Sequence, residues 1–285
     1  MEPQPNQLAA LVAIADHGTF EAAARSLHVT PSAISQRIRA LEAQAGRVLI
    51  TRGTPCRPTD AALGLVRLGR QLRLLYDEAA LGDSDGEPTQ VSVAVNADSL
   101  AGWFRGVLAD VGAWGGVALH LAIEDQAHSH ELLRRGEVMG AVTSDPTPVQ
   151  GCSVQPPGSL AYAAAAAPAL LARYDAAPDW TRMPVVRFND LDLLQDEELA
   201  AHGVTAPPLT HRVPSSEDFL AAVVAGLGWG MLPNHQREPA EQRGEVVRIG
   251  SRSAQVPLYW QRWRLDSPVL DRLTESVLAH GPGRR

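Results

Sequence analysis

Thr30, Ser32, Ser35, Gln36, Arg37 and Arg39 fall in one short run of the chain, HVTPSAISQRIRALEAQAG, residues 28–46. Hydroxyl, amide and guanidinium groups gathered this closely are the donors that phosphates and base edges accept from. Thr30 suits a helix cap and Pro31 the first helical position, where a missing N–H costs nothing. Ala33, Ile34, Ile38 and Leu41 recur at helical spacing, so one side packs. Ser32, Ser35, Gln36, Arg37 and Arg39 are left for the other, which is free to read a partner. A solvated surface helix would show the same pattern, so the elements around the run must decide.

Those elements form a small helical head. Leu8, Leu11, Val12 and Ile14 mark a first helix ending near His17 and Gly18, where glycine suits a C-terminal cap. Thr19 caps a second, alanine-rich helix that another can cross closely. The turn HVT then leads into the run above: helix, tight turn and helix with a polar second member is the helix-turn-helix arrangement. RVLITRGTPCRPTD follows, alternating apolar and turn residues as a two-stranded wing does. It places Arg52 and Arg57 beside the tip for phosphate contact.

Charge follows the same division. Residues 1–80 carry nine arginines and seven acids, residues 81–285 sixteen arginines and twenty-five acids, within a net charge of −7. A basic head on an acidic body is the asymmetry of a chain that meets a polyanion with one part only. A length of 285 residues allows about two domains. Apolar and charged fractions of 45% and 20% are those of a soluble globular protein. No apolar run is long enough to span a bilayer. The start MEPQPNQLAALV lacks the basic and apolar regions of a secretory signal, so a cytoplasmic location is expected. Cys56 and Cys152 stand far apart with no metal-ligand spacing and read as packing thiols.

FEAAARSLHVTPSAISQRIRALEAQAGRVLITR resembles the N-terminal winged helix-turn-helix of LysR-type transcriptional regulators, and the likeness continues down the chain. Alanines 22–24, Leu27, TPSAISQRI and Leu41-Glu42 are as that family has them. VLITR and PCRPT are similar to its arginine- and lysine-responsive ArgP/LysG subgroup, as is VNADSLAGWF after the hinge, although Gly102 stands where the subgroup usually has threonine. IEDQ, RRGEVMGAVT, SSEDF, GLGWGMLP and LYWQRW extend the likeness through the body. The resemblance implies an α/β chain: a winged helix-turn-helix over residues 1–58, a dimerisation linker helix over 59–81, a hinge over 82–90, and a two-lobed, periplasmic-binding-protein-like effector domain over 91–285. It implies a homodimer or homotetramer on an interrupted inverted repeat of promoter DNA, with RNA polymerase as a further partner.

The residues agree with that outline. Thr59 can cap a linker helix of about 22 residues, a rod of roughly 33 Å, in which Leu65, Leu68, Leu72 and Leu75 follow a three/four spacing. Such a stripe needs cover, from a second copy or from the chain's own body. GDSDGEPTQ reads as a hinge. Beyond it short apolar runs alternate with helical ones, which predicts an α/β body of mostly parallel strands.

A sensor of a basic amino acid needs carboxylates for the cation and donors for the α-carboxylate. Glu124, Asp125 and Asp192 are candidates for the first. Ser99, read as the start of a helix, with Ser215 or Ser216 serves the second. Trp103 and Thr143, in family-like stretches, complete the candidate effector site. Each has a structural alternative: Ser99 as a plain cap, SSED as a capping box, and the acids after Ile123 as the wet end of a strand.

Gly226, Gly228 and Gly230 follow a helix and lead into a strand, the reverse of a phosphate loop, so Gly226 reads as a helix terminator. His128 and His130 diverge on a helix, and no metal, cofactor or catalytic pair is expected. The chain thus reads as a regulator controlling amino acid export or metabolism. A ligand-independent architectural DNA-binding protein, the same class of regulator with another effector, and an enzyme with an appended head are the rivals.

Overall fold

The computed structural model describes residues 2–80, 88–123, 126–205 and 209–283. In the head, α1 (Pro5–His17), α2 (Phe20–Ser26) and α3 (Pro31–Ala45) pack as three crossed helices ahead of the short strands β1 (Ile50–Thr51) and β2 (Arg57–Pro58). Gly18 ends α1 in the left-handed region at φ 71°, which glycine adopts without strain. Thr19 and Thr30 cap the next two helices, accepting from the N–H groups of Ala22 and Ala33 at 3.1 and 3.2 Å. Ala23 and Ala24 on α2 and Ile34, Ile38 and Leu41 on α3 close one apolar core with Leu11 and Ile14. Glu42 ties the wing to α3, its Oε1 accepting from the N–H groups of Leu49 and Ile50 at 2.9 and 3.3 Å.

The linker helix starts later than the sequence indicates. Thr59 does not cap it; its hydroxyl donates to the Val48 carbonyl at 2.9 Å, and a 3-10 turn over Asp60–Ala62 precedes α4 (Leu63–Ala80). Val66 joins the head core and Leu74 the body core. Gly69 lies so close to α1 that a Cβ there would sit 2.7 Å from Val12 Cγ2. Near its other end, Glu78 Oε1 accepts from Ser267 Oγ at 2.6 Å and from the Val269 N–H at 3.0 Å. The helix therefore does pack on its own chain, yet Leu65, Leu72 and Leu75 are only half-buried and Leu68 and Tyr76 are exposed.

The body begins with β3 (Thr89–Val95), two residues inside the expected hinge; residues 82–87 lie outside the described residues. Then come α5 (Ala97–Ala101), α6 (Phe104–Gly112), β4 (Val117–Ile123), α7 (Gln126–Arg134) and β5 (Gly140–Thr143). The long β6 (Cys152–Ala166) follows, with α8 (Pro168–Ala172), β7 (Val185–Arg187), α9 (Leu194–Ala201), β8 (Thr210–Arg212) and α10 (Ser216–Val224). The chain closes with β9 (Gly230–Pro233), α11 (Asn234–Gln242), β10 (Val247–Arg248), β11 (Ala254–Trp263) and α12 (Pro268–His280).

The expectation of mostly parallel strands is corrected. Pairing is parallel for β3 with β4 and β5 and for β7 with β8, but β11 runs antiparallel to both β5 and β6, as β9 and β10 do to β6. The cause is the way the chain changes lobes. The first residues of β6 pair with the end of β11, which lies beside β5; the last residues of β6 pair with β9 and β10. Two opposed strands thus carry the chain out of the first lobe and back, leaving a cleft between the lobes.

Candidate functional site

Thr30 spends its hydroxyl on the cap and a 2.9 Å bond to the Ser32 hydroxyl. Ser32, Gln36 and Arg39 are exposed and Ser35 half-buried. Ser32, Ser35, Arg39 and Arg52 line one shallow concavity of about 360 Å³ between α3 and the wing. Arg57 is exposed on β2, apart from that concavity. Among the described residues no carboxylate lies within ion-pair distance of Arg39, Arg52 or Arg57. Arg37 is different. At about 100° per residue it stands about 140° round the helix from Ser32, next to the packed side, and it is half-buried. Helix α3 therefore presents Ser32, Ser35, Gln36 and Arg39 together, with Arg37 at the edge of that face.

The cleft between the lobes encloses about 680 Å³. Asn96, Asp98 and Ile123 wall it from the first lobe, Asn189, Asp192, Ser216 and Gln236 from the second, and Tyr162 of β6 lies between. Asp98 is the hub. Tyr162 donates to its Oδ2 at 2.7 Å and Ser216 to its Oδ1 at 2.6 Å, while Gln236 Nε2 donates to Ser216 Oγ at 2.9 Å. Burial, with Asp98 beside it, pushes the Tyr162 phenol well above its usual range, so the phenol stays a donor. Asp192 faces the same space, its carboxylate accepting from the N–H groups of Phe188 at 3.1 Å and Leu194 at 3.4 Å. Burial raises its pKa above the ordinary carboxylate value and the neighbouring charge of Asp98 adds to the rise, against those hydrogen bonds.

Two of the expected effector residues, Asp192 and Ser216, line this cleft. Ser99 does not. The helix starts earlier than the sequence indicates: Asn96 is the cap, its Oδ1 accepting from the Ser99 N–H at 2.9 Å, and the Ser99 hydroxyl is fully buried without a partner among the described residues, away from the cavity wall. Trp103 packs edge-on against Phe104 at 5.5 Å, and Thr143 is buried, accepting from the Asp145 N–H at 3.1 Å. Ser215 is the cap of α10, accepting from the Asp218 N–H at 3.4 Å. Glu124 and Asp125 lie outside the described residues. Asp98 was missed, although it stands beside Ser99 in the stretch singled out for chemistry. At Gly102 a Cβ would fall 2.8 Å from His235 Nε2, so the space of the subgroup's threonine is taken by an imidazole ring.

A winged helix-turn-helix, a linker helix and a two-lobed α/β body with an acidic cleft define a ligand-responsive DNA-binding regulator, and the chain belongs to the LysR family of bacterial transcriptional regulators. Residues 5–63 match the bacterial regulatory helix-turn-helix of that family, and residues 84–282 match the LysR substrate binding domain. A lysine export transcriptional regulatory protein, LysG of Corynebacterium efficiens, is 46% identical over 96% of both chains. The crystal structure of ArgP from Mycobacterium tuberculosis superposes with a TM-score of 0.89 at 43% identity, covering 99% of this chain and 98% of that one. Full-length LysG of Corynebacterium glutamicum with the effector arginine bound superposes with a TM-score of 0.81 at 42% identity over 98% of both.

Proposed function

We propose that this protein is a cytoplasmic transcriptional regulator, not an enzyme, that senses L-lysine or L-arginine and controls genes for amino acid export. The observation that carries this reading is that carboxylates face each other across the cleft, Asp98 from the first lobe and Asp192 and Glu197 from the second. A basic amino acid carries two positive groups. Lying across the gap, it offers each lobe an opposite charge, and a ligand that contacts both lobes favours whichever arrangement brings them together. The named relatives, one concerned with lysine export and one with arginine bound, support the choice of ligand.

In this reading residues 1–58 are the DNA-binding head, 59–81 the linker, 82–90 the hinge and 91–285 the effector domain. Ser32, Ser35, Gln36, Arg39 and Arg52 read and grip DNA, with Arg57 on the wing backbone. The half-open face of α4 pairs with that of a second copy, so that two heads meet an inverted repeat. Isothermal titration with all twenty amino acids, followed by footprinting of the upstream promoter with and without the ligand found, tests the proposal. Binding confined to lysine, arginine or histidine, with an altered footprint, supports it; no binding of any of them refutes it.

A further inference from the structure

We infer that Asn96 and Asn189 hold the α-carboxylate of the effector; the assignment rests on the basic amino acid reading of the cleft and deepens it. The cavity wall contains no arginine or lysine among the described residues, so the donors for that carboxylate are neutral. Ser99 is sealed from the cavity, Ser216 donates to Asp98, and Gln236 donates to Ser216. The two asparagines are arranged differently. Asn96 Oδ1 accepts from the Ser99 N–H at 2.9 Å, and Asn189 Oδ1 accepts from the Leu191 N–H at 2.9 Å. A backbone N–H only donates, so each amide is fixed with its oxygen toward the chain. Neither Nδ2 has a partner among the described residues, and both side chains line the cavity, one from each lobe.

The arrangement repeats across the gap. Asn96 stands two residues before Asp98, and Asn189 three before Asp192. Each lobe brings one asparagine amide donor beside a carboxylate, and Glu197 adds a further carboxylate from the second lobe. A basic amino acid, with two cationic groups and one anionic group, meets the carboxylates of Asp98, Asp192 and Glu197 and the two amides. Discrimination by neutral amides is moderate, of the size of one or two hydrogen bonds to an anion, about ten- to a hundredfold.

Arginine and agmatine differ only in the carboxylate, and calorimetry with both on the full-length protein tests the assignment. Wild type is expected to bind arginine about ten- to a hundredfold more tightly than agmatine. Asn96→Asp and Asn189→Asp keep the oxygen that caps the helix or closes the turn and replace the NH2 by an anionic oxygen. Each should weaken arginine at least about tenfold and leave agmatine unchanged or tighter, with the unfolding temperature checking that the fold is kept. Equal binding of arginine and agmatine by wild type, or equal weakening of both ligands in the variants, overturns the donor assignment while the acidic cleft stands. Failure of wild type to bind either overturns the assignment, and failure with lysine and histidine as well overturns the basic amino acid reading with it.

Discussion

The head and the cleft recognise opposite charges with opposite strategies. On α3 and the wing the donors are unspent: Gln36, Arg39, Arg52 and Arg57 are exposed, and the three arginines have no carboxylate beside them among the described residues. In the cleft the charged groups are already held, Asp98 by two hydroxyls and Asp192 by two backbone N–H groups. The difference follows from the partners. A polyanion brings dense charge and repays flexible cations by releasing its own counterions. A single small ligand offers few contacts, and each must be pre-positioned to offset the freedom lost on binding.

Four experiments break or sharpen this contrast. Asp98→Asn removes the cleft's central charge while keeping an oxygen for Tyr162, and arginine affinity by calorimetry should fall about a hundredfold. DNA affinity of the ligand-free protein should not change, and an equal loss of both would erase the distinction between the regions. Arg39→Ala and Arg52→Ala are the mirror test. Each should weaken DNA about tenfold in fluorescence anisotropy and lower the slope of log affinity against log salt by about 1, with arginine binding unmoved.

A pH series probes Asp192, whose carboxyl is raised above the usual range by burial. A cationic ligand prefers the ionised form, so arginine affinity should fall as pH drops through that raised pKa and level off above it. Asp192→Asn should bind more weakly and lose that part of the pH dependence; an unchanged profile would remove Asp192 from the site. The smallest effect belongs to Thr30→Ala. Loss of the cap bond to the Ala33 N–H should cost about 1 kcal/mol in urea unfolding. Arginine affinity should not follow.

Much of the head was legible because its instructions are local. The caps at Thr19 and Thr30, the left-handed glycine at 18 and the apolar spacing of Ile34, Ile38 and Leu41 all act within a few residues. Angle is harder to read from a linear sequence: Arg37 belongs to the polar run yet stands beside the packed side of the helix. The cleft was less legible because its hub is assembled from afar. The hydroxyls on Asp98 come from residues 64 and 118 positions away, and nothing adjacent to Asp98 announces them. Ser99, by contrast, looked like a cap because VNADS offers three cap residues, Asn96, Asp98 and Ser99, and the chain uses Asn96. The antiparallel strands were hidden for the same reason. Whether β6 returns to its own lobe or crosses into the other is decided by pairing with β9 and β10, not by its composition.

Glu78, gripping Ser267 and Val269 at the start of α12, has a mechanical meaning. With Leu74 seated in the body core and Val66 in the head core, α4 is keyed at both ends like a torsion bar. Any movement of the first lobe relative to the head would have to pass along that rod, so the stiffness of one helix would govern how much of it arrives.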